Sequence, residues 1–505
     1  MIPVTTFVSN HPNSHQIFYN SCMLDEHLYS NYPFYGAFDS DHVNYDPNKP
    51  RIKDILWYNY NWIEQLHDNG RLRDCVLDNV QKTLICNTIY LGYDAFECPK
   101  CGNGTILYHH CHSRLCTSCG AKLQKQLAAK AEVMCLNVKR RHFVFTIPEE
   151  YREIFRKDRT ALNVLFVAAR NTVCKVCNES LYRKLKRKQK KTHKYHNGKD
   201  NYYLFRNYKG RKEFGMISTL HTFGRDLKWN PHIHALVPEL LYNPKTDKYE
   251  MHHHFDFTSV RKTWQYEVNT LLLQHFGNQF RKYMDTDYTA HENGFYVYAK
   301  YVQNEENNAD GSKKKKNYSK DVKGCVNYMM RYAARPAMAE SRIVSYDKET
   351  DQVQWFYNDH KTEERIDVCE TGKELLEKIF IHIPESHFRM VRYYGFYNNK
   401  EQDLLDKLHE QLGETQHINS TREERKRKLK QKMNKLKFRT MCLDSYNRDP
   451  IRCKCGGIMV YVDSYDPLEG KSNDRTYRQS CIDEMREMWI HRRSARKDPG
   501  YVKRS

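Results

Sequence analysis

Nowhere in the 505-residue chain does an apolar run approach the roughly 18 residues of a membrane span. The opening Met-Ile-Pro-Val-Thr-Thr-Phe has neither the charged end nor the apolar stretch of a secretory signal, so a cytoplasmic location is expected. No Gly-x4-Gly-Lys-[Ser/Thr] loop occurs, which argues against an attached P-loop motor and a nucleotide cofactor. His-Glu-x-x-His is also missing, which disfavours a metalloprotease, and so is Gly-x-Gly-x-x-Gly, which disfavours a dinucleotide enzyme.

Negative charge is in short supply. The chain has 62 Asp plus Glu against 83 Lys plus Arg, a net charge of +21. That balance calls for a polyanionic partner, because Lys and Arg contacts to phosphate dominate nucleic-acid affinity. No long basic amphipathic helix stands out to favour a membrane surface instead. Hydrophobic residues at 39% and aromatics at 13% are too abundant for a disordered chain. At roughly 100–200 residues per domain, the length allows about three domains.

Of 17 cysteines, seven fall between Cys86 and Cys135. Clustering of this kind in a reducing compartment points to metal before disulfides. Cys98-Pro-Lys-Cys101 and Cys116-Thr-Ser-Cys119 form CxxC-x14-CxxC, close to zinc-ribbon spacing. The expectation is one tetrahedral zinc held by Cys98, Cys101, Cys116 and Cys119. Cys86, Cys111, His109, His110 and His112 are available to complete a second site or to substitute for a ligand. Cys174 and Cys177 lie in a helical pattern and read as a core pair. Whether Cys453-Lys-Cys455 binds metal is left open by its one-residue gap.

Short helices are expected over 51–85, and a helix from Ala121 to Leu136. Buried strands are expected at His142–Pro148, Met216–Thr222 and His232–Val237. Residues 158–190 and 259–284 read as helical, Asp310–Asn317 as a lysine-rich loop, and Lys323–Ala334 as a helix stopped by Pro336. A hairpin turning at Lys348–Asp351 and a basic helix over Thr421–Arg439 follow. Residues 1–50 carry only weak periodicity.

His232-Ile-His234 is the second constellation. On a strand, positions i and i+2 share a face, so both imidazoles project together while Ile233 packs behind them. HxH also occurs at His110–His112 and His252–His254, so the spacing alone proves nothing. What raises its interest is His221, near the end of the preceding strand. If the two strands are antiparallel neighbours, three neutral imidazoles face one pocket and leave metal positions open for an oxygen substrate. Downstream, Tyr328 and Tyr332 sit one helical turn apart in Tyr-Met-Met-Arg-Tyr-Ala-Ala-Arg-Pro, with Arg331 and Arg335 as candidate phosphate clamps. Tyrosine pairs at this spacing also occur at 393/397 and 461/465, where packing is the ordinary explanation.

Taken in order, these motifs resemble the two-tyrosine HUH transposases of rolling-circle insertion sequences, the IS91 group. The resemblance covers roughly Cys86 to Asn398. It rests on Cys86-x11-CxxC, Cys111-His-Ser-Arg-Leu-CxxC, the strand His-Phe-Val-Phe-Thr-Ile-Pro and Leu220-His-Thr-Phe-Gly224. It continues through Asn230-Pro-His-Ile-His-Ala235, Ser341-Arg-Ile343 and His387-Phe-Arg-Met-Val-Arg-Tyr-Tyr-Gly395. The spacing of 221, 232 and 234 is also similar to that of HUH relaxases. The tail departs from the family, carrying Cys-Lys-Cys-Gly-Gly instead of Cys-Pro-x-Cys-Gly-Gly.

The resemblance implies an α+β chain, with an antiparallel-sheet HUH domain preceded by a zinc ribbon and followed by a basic helical tail. The expected segments are an N-terminal helical region (1–85), a zinc ribbon (86–136) and an HUH domain with its tyrosine helix (137–345). A hairpin and basic helical region (346–440) and a Cys-containing tail (441–505) complete the division. His221, His232 and His234 would hold catalytic Mg²⁺ or Mn²⁺, and the cysteines structural Zn²⁺. Tyr328 and Tyr332 would attack single-stranded DNA through a 5′-phosphotyrosine intermediate. The rival readings are an HUH replication initiator or relaxase, and a zinc-ribbon DNA-binding protein without catalysis.

Overall fold

The structure is a computed structural model that describes residues 50–191, 210–300, 303–307, 313–317, 322–359, 362–414, 449, 451–466 and 474–497. The start of the chain and the expected basic helix Thr421–Arg439 lie outside the described residues. Along the chain, helices α1 (Ile52–Tyr58), α2 (Tyr60–Asp68) and α3 (Asp74–Leu84) precede strands β1 (Tyr93–Glu97) and β2 (Gly104–Tyr108). Next come α4 (Thr117–Met134), β3 (Arg140–Phe145), α5 (Leu162–Cys177), α6 (Glu179–Lys191), β4 (Gly215–Phe223) and β5 (Trp229–Pro238). Then follow α7 (Phe257–Phe276), β6 (Val297–Lys300), β7 (Gln303–Asn307), β8 (Lys313–Asn317) and α8 (Val322–Ala334). Among the later elements are β9 (Ile343–Asp347), β10 (Gln352–Asn358), β11 (Arg365–Thr371), α9 (Gly372–Phe380), β12 (Val391–Gly395), β13 (Val460–Tyr465) and α10 (Arg475–Lys497). Mixed helices and antiparallel sheets make the class α+β.

Two units interleave in sequence: 1–123 with 336–383 and 434–505, and 124–335 with 384–433. In the first, β13, β1 and β2 form a three-stranded antiparallel sheet, so the sheet begun at Tyr93 is completed by a strand more than three hundred residues away. Helix α10 returns to the N-terminal helices and packs on α3. There the nearly fully buried Arg478 donates to Asp78 at 2.8 Å, and the Tyr60 hydroxyl donates to Gln479 at 2.6 Å. The hairpin β9–β10 turns where expected and gains a third strand, β11. A capping box, Thr371 with Glu374, then starts α9.

The second unit is built on a five-stranded antiparallel sheet of order β12-β4-β5-β3-β6. One face carries Leu220, Ile233, Ala235, Phe143 and Phe145, and Trp264 of α7 lies 5.0 Å from Phe145, centroid to centroid. On the other face Ile217 and Leu236 join a core with Ala128, Ala131 and Met134 of α4 and with Val326, Met329, Met330 and Ala333 of α8. Burying that many apolar side chains, at about 1.5–3 kcal/mol each, anchors α8 against this face.

Three expectations are corrected here. The helical stretch 158–190 is broken at Asn178, and 259–284 at Gly277, whose positive φ of 73° ends α7. The lysine run 313–316 is a strand, not a loop. It pairs antiparallel with β7 in a register that sets Lys314 opposite Glu306 and Lys315 opposite Glu305.

Candidate metal centres and the tyrosine helix

The histidine site is assembled by strand register. Strands β4 and β5 pair so that Ile217 faces Leu236, Thr219 faces His234, and His221 faces His232. Alternation along both strands therefore puts all three imidazoles on the face that carries α8. A register shift between His221 and Phe223, just before the turn, ends the regular pairing beside the site. Ring centroids are 4.9 Å apart for 221/232 and 232/234, and 5.6 Å apart for 221/234. One ligand nitrogen from each residue lies within 4.8 Å of the other two, which fits a shared divalent ion.

Hydrogen bonding orients these rings. His232 Nδ1 donates to the Asn230 carbonyl at 2.6 Å, which leaves Nε2 as the ligand atom. His234 Nδ1 lies 2.7 Å from His142 Nε2, with the two rings stacked 10° from parallel. With Nδ1–H of His234 donated to a neutral His142, the Nε2 lone pair of His234 is directed into the site. Burial pushes His142 and His232 down to about 4, and pushes His234 well below its ordinary value. His232 and His234 are thus neutral near pH 7, the form in which imidazole binds metal, and His142 beside them is neutral too.

Sequence reasoning missed His142. The available signal was a polar ring in the strand Arg-Arg-His-Phe-Val-Phe, on the face opposite Phe143 and Phe145. Burial hides such a residue unless its partner is known.

Helix α8 carries Tyr328 and Tyr332 one turn apart, and it packs on β4. The side chains of Tyr328 and Tyr332 lie outside the described residues. Their positions fall outside the stripe of Val326, Met329, Met330 and Ala333 that is buried against the sheet. Arg331 is exposed, while Arg335 is exposed at the helix end and donates from Nε to Gln124 at 2.6 Å.

The cysteines group differently from expectation. Cys98 and Cys101 do not meet Cys116 and Cys119. Instead, Cys86, Cys111, Cys116 and Cys119 form one cluster, and Cys98, Cys101, Cys453 and Cys455 another. The reason is the hairpin β1–β2. Cys98 and Cys101 stand at its tip and Cys111 beyond its base, and a five-residue strand is about 17 Å long. Two CxxC knuckles separated by that length cannot close on one ion.

In the first cluster, sulfurs lie 3.8 Å apart for 86/119 and 86/116, and 3.6 Å apart for 111/119. Four sulfurs about 2.3 Å from one ion are about 3.8 Å from one another, so the spacing fits tetrahedral zinc. Hydrogen bonding from Cys111 holds the Cys86 and Cys119 thiols down to about 5. Cys119 also sits in the first turn of α4, where the helix dipole favours a thiolate. Hydrogen bonds to Cys119 and Cys86 raise His110 to about 9, so a protonated imidazole stands beside the cluster. Of the residues offered as extra ligands, Cys86 and Cys111 join the cluster, and His110 borders it without being a ligand. Cys174 and Cys177 are both buried in α5 with thiols raised by burial, as a core pair would be.

Comparison with known proteins gives two matching family models: "Transposase zinc-binding domain" over residues 58–147 and "Putative transposase" over residues 215–404. The chain is similar to the transposase for insertion sequence element IS801 of Pseudomonas savastanoi pv. phaseolicola, with 27% identity over 416 residues, covering 81% of this chain and 89% of that protein. It is also similar to a protein of Sinorhizobium fredii described as "Putative transposase y4qJ", with 22% identity over 322 residues, covering 63% and 73% respectively. No solved structure matches. Among the described residues no helix is long and apolar enough to cross a membrane.

Proposed function

Because the chain belongs to the IS91-family transposases with an N-terminal zinc-binding domain, we propose that it cleaves and rejoins single-stranded DNA by rolling-circle-type transposition. The observation that carries this reading is the convergence of His221, His232 and His234 on the sheet face against which α8 packs. His221, His232 and His234 would hold Mg²⁺ or Mn²⁺. When bound, the ion supplies Lewis-acid polarisation of a phosphodiester.

The chain's own groups do the remainder. A phenol oxygen of Tyr328 or Tyr332 attacks phosphorus, forming an O–P bond as the P–O3′ bond breaks. The phenol proton is lost, the leaving 3′ oxygen takes one up, and no water is consumed. The products are a 5′-phosphotyrosine and a free 3′-OH, which keeps the phosphoester energy available for rejoining. A second tyrosine one turn away can receive a second strand, which couples cleavage to transfer. Arg331, exposed on the same helix, is a phosphate clamp. Arg335 is partly committed to Gln124, so its role is to fix the end of α8.

The cluster of Cys86, Cys111, Cys116 and Cys119 holds structural zinc. Four thiolates close the coordination shell, so it supports fold and DNA grip, not hydrolysis. The net charge of +21 is suited to a DNA backbone.

The test offers labelled single-stranded DNA with Mn²⁺ and looks for a covalent protein–DNA band. Wild type should form it. His232→Ala should lose it while still shifting DNA in a gel, and Tyr328→Phe with Tyr332→Phe should lose it too. An adduct that persists in the double tyrosine variant would remove the assignment. Nicking without any adduct would favour a hydrolytic nuclease.

A further inference from the structure

The zinc-binding family model spans residues 58–147, and Cys453 and Cys455 lie far beyond it. We propose that Cys98, Cys101, Cys453 and Cys455 hold a second zinc ion, which staples the segment 451–465 to the hairpin β1–β2. The zinc ribbon of this protein is thus split, with one knuckle near the start of the first unit and the other in its last segment.

Sulfur spacing is the first support. Cys98 and Cys455 sulfurs are 3.6 Å apart, Cys101 and Cys453 sulfurs 3.5 Å, and all four atoms lie within 4.8 Å of one another. A disulfide would bring two sulfurs to about 2.05 Å. A tetrahedral zinc at about 2.3 Å from each sulfur sets them near the spacing found here.

The backbone is the second, independent support. In the first knuckle the Gly102 N–H donates to the Cys98 carbonyl at 2.8 Å and the Cys98 N–H to the Asn103 carbonyl at 2.8 Å, with Gly102 at a φ of 71°. In the other knuckle the Gly456 N–H donates to the Cys453 carbonyl at 2.9 Å and the Cys453 N–H to the Gly457 carbonyl at 2.9 Å, with Gly456 at a φ of 84°. Both are tight turns that present sulfurs to one point, and the one-residue gap of Cys-Lys-Cys does not prevent it.

Gly457 is the third support. A Cβ there would stand 2.8 Å from Cys98 Sγ and 3.4 Å from Cys455 Sγ, so the backbone passes against the sulfurs and leaves room for no side chain. Asn103 Nδ2 points at Cys453 Sγ from 3.8 Å, a donor for a thiolate. The chain closed by this site is 352 residues long between Cys101 and Cys453, the kind of long loop whose closure by a metal clip restricts the unfolded state most. What the clip holds in place is β13 against β1.

The inference is independent of the strand-transfer chemistry, since it concerns metal content and not cleavage. Full-length protein purified under reducing conditions and weighed by native mass spectrometry should carry two zinc ions. Cys453→Ser with Cys455→Ser should carry one. In wild type, alkylation followed by peptide mapping should find Cys453 and Cys455 protected until a chelator is added. Gly457→Ala should weaken retention of one ion and leave the other. Because Cys101 is exposed and Cys455 half-exposed, the second ion should leave first on chelation.

One zinc in wild type, two zinc ions in the double serine variant, or a mass short of hydrogens through disulfides would each overturn the proposal. The alkylation readout uses wild type only, so a variant that fails to fold cannot protect the idea. Free alkylation of Cys453 in metal-loaded protein refutes it.

Discussion

Replacing His142 tests whether the histidine site is built as described or merely crowded. His142 Nε2 lies 2.7 Å from His234 Nδ1 with both rings buried, placed to accept its proton when His234 presents Nε2 to the metal. His142→Phe fills the same space but offers no acceptor. His234 then has a buried N–H without its partner, at a cost of about 1–3 kcal/mol. Losing such an outer partner typically costs about ten- to a hundredfold in metal affinity, or about 1.4–2.7 kcal/mol. His142→Gln, whose amide oxygen can accept, should recover part of the loss. The assay is Mn²⁺ titration without DNA, followed by the electron paramagnetic resonance of the free ion, with circular dichroism to confirm folding. A folded His142→Phe protein that binds Mn²⁺ as tightly as wild type would refute the reasoning, because His234 would then need no neighbour to direct its ligand nitrogen.

Other expectations follow from the same geometry. Cys86→Ser removes one of four sulfurs spaced 3.8 Å from two others and should release one zinc ion and lower the thermal midpoint, read by metal content and melting together. Gly395 closes β12 at a φ of 59°, and a Cβ there would stand 1.5 Å from the Phe214 carbonyl oxygen. Gly395→Ala should therefore cost more than about 1 kcal/mol in urea unfolding; an unchanged midpoint would show that the strand end is not held as found. Acid should destabilise the metal-free protein across one window. Unfolded histidines take up protons near 6.5, whereas buried His142 and His232 resist until about 4. Between those values the unfolded state binds more protons, so stability falls as pH drops from 6.5 to 4. A flat or rising stability over that window contradicts the burial of these rings.

Local pattern carried some of this architecture and distance concealed the rest. The two strands around His221 and His234 were legible because alternation of apolar and polar residues is set by the pleat, and their pairing followed from a short polar turn. The tyrosine helix was legible from its periodicity and from Pro336, yet its packing on β4 depends on Ile217 and Leu236, which no helix-local signal names. The cysteine grouping was misread because proximity in sequence favoured joining the two CxxC pairs. The true neighbours of Cys98 and Cys101 are Cys453 and Cys455, brought close only when β13 pairs with β1. His142 was hidden for the same reason, since a strand residue gains a role only from the partner strand. The lysine run looked like a loop because charge usually marks solvent, and its register against Glu305 and Glu306 belongs to a partner strand that no local signal names.

The central claim is that the imidazole-bearing face of the sheet and the helix against it act together on DNA. Its most direct measurement is the identity of the residue joined to DNA. Protein incubated with single-stranded DNA and Mn²⁺, digested with nuclease and protease, should yield one phosphonucleotide-bearing peptide by mass spectrometry, modified at Tyr328 or Tyr332. The chain has 37 tyrosines, so the outcome is discriminating. A modification at any other tyrosine, or cleaved DNA with no modified peptide, would contradict the account.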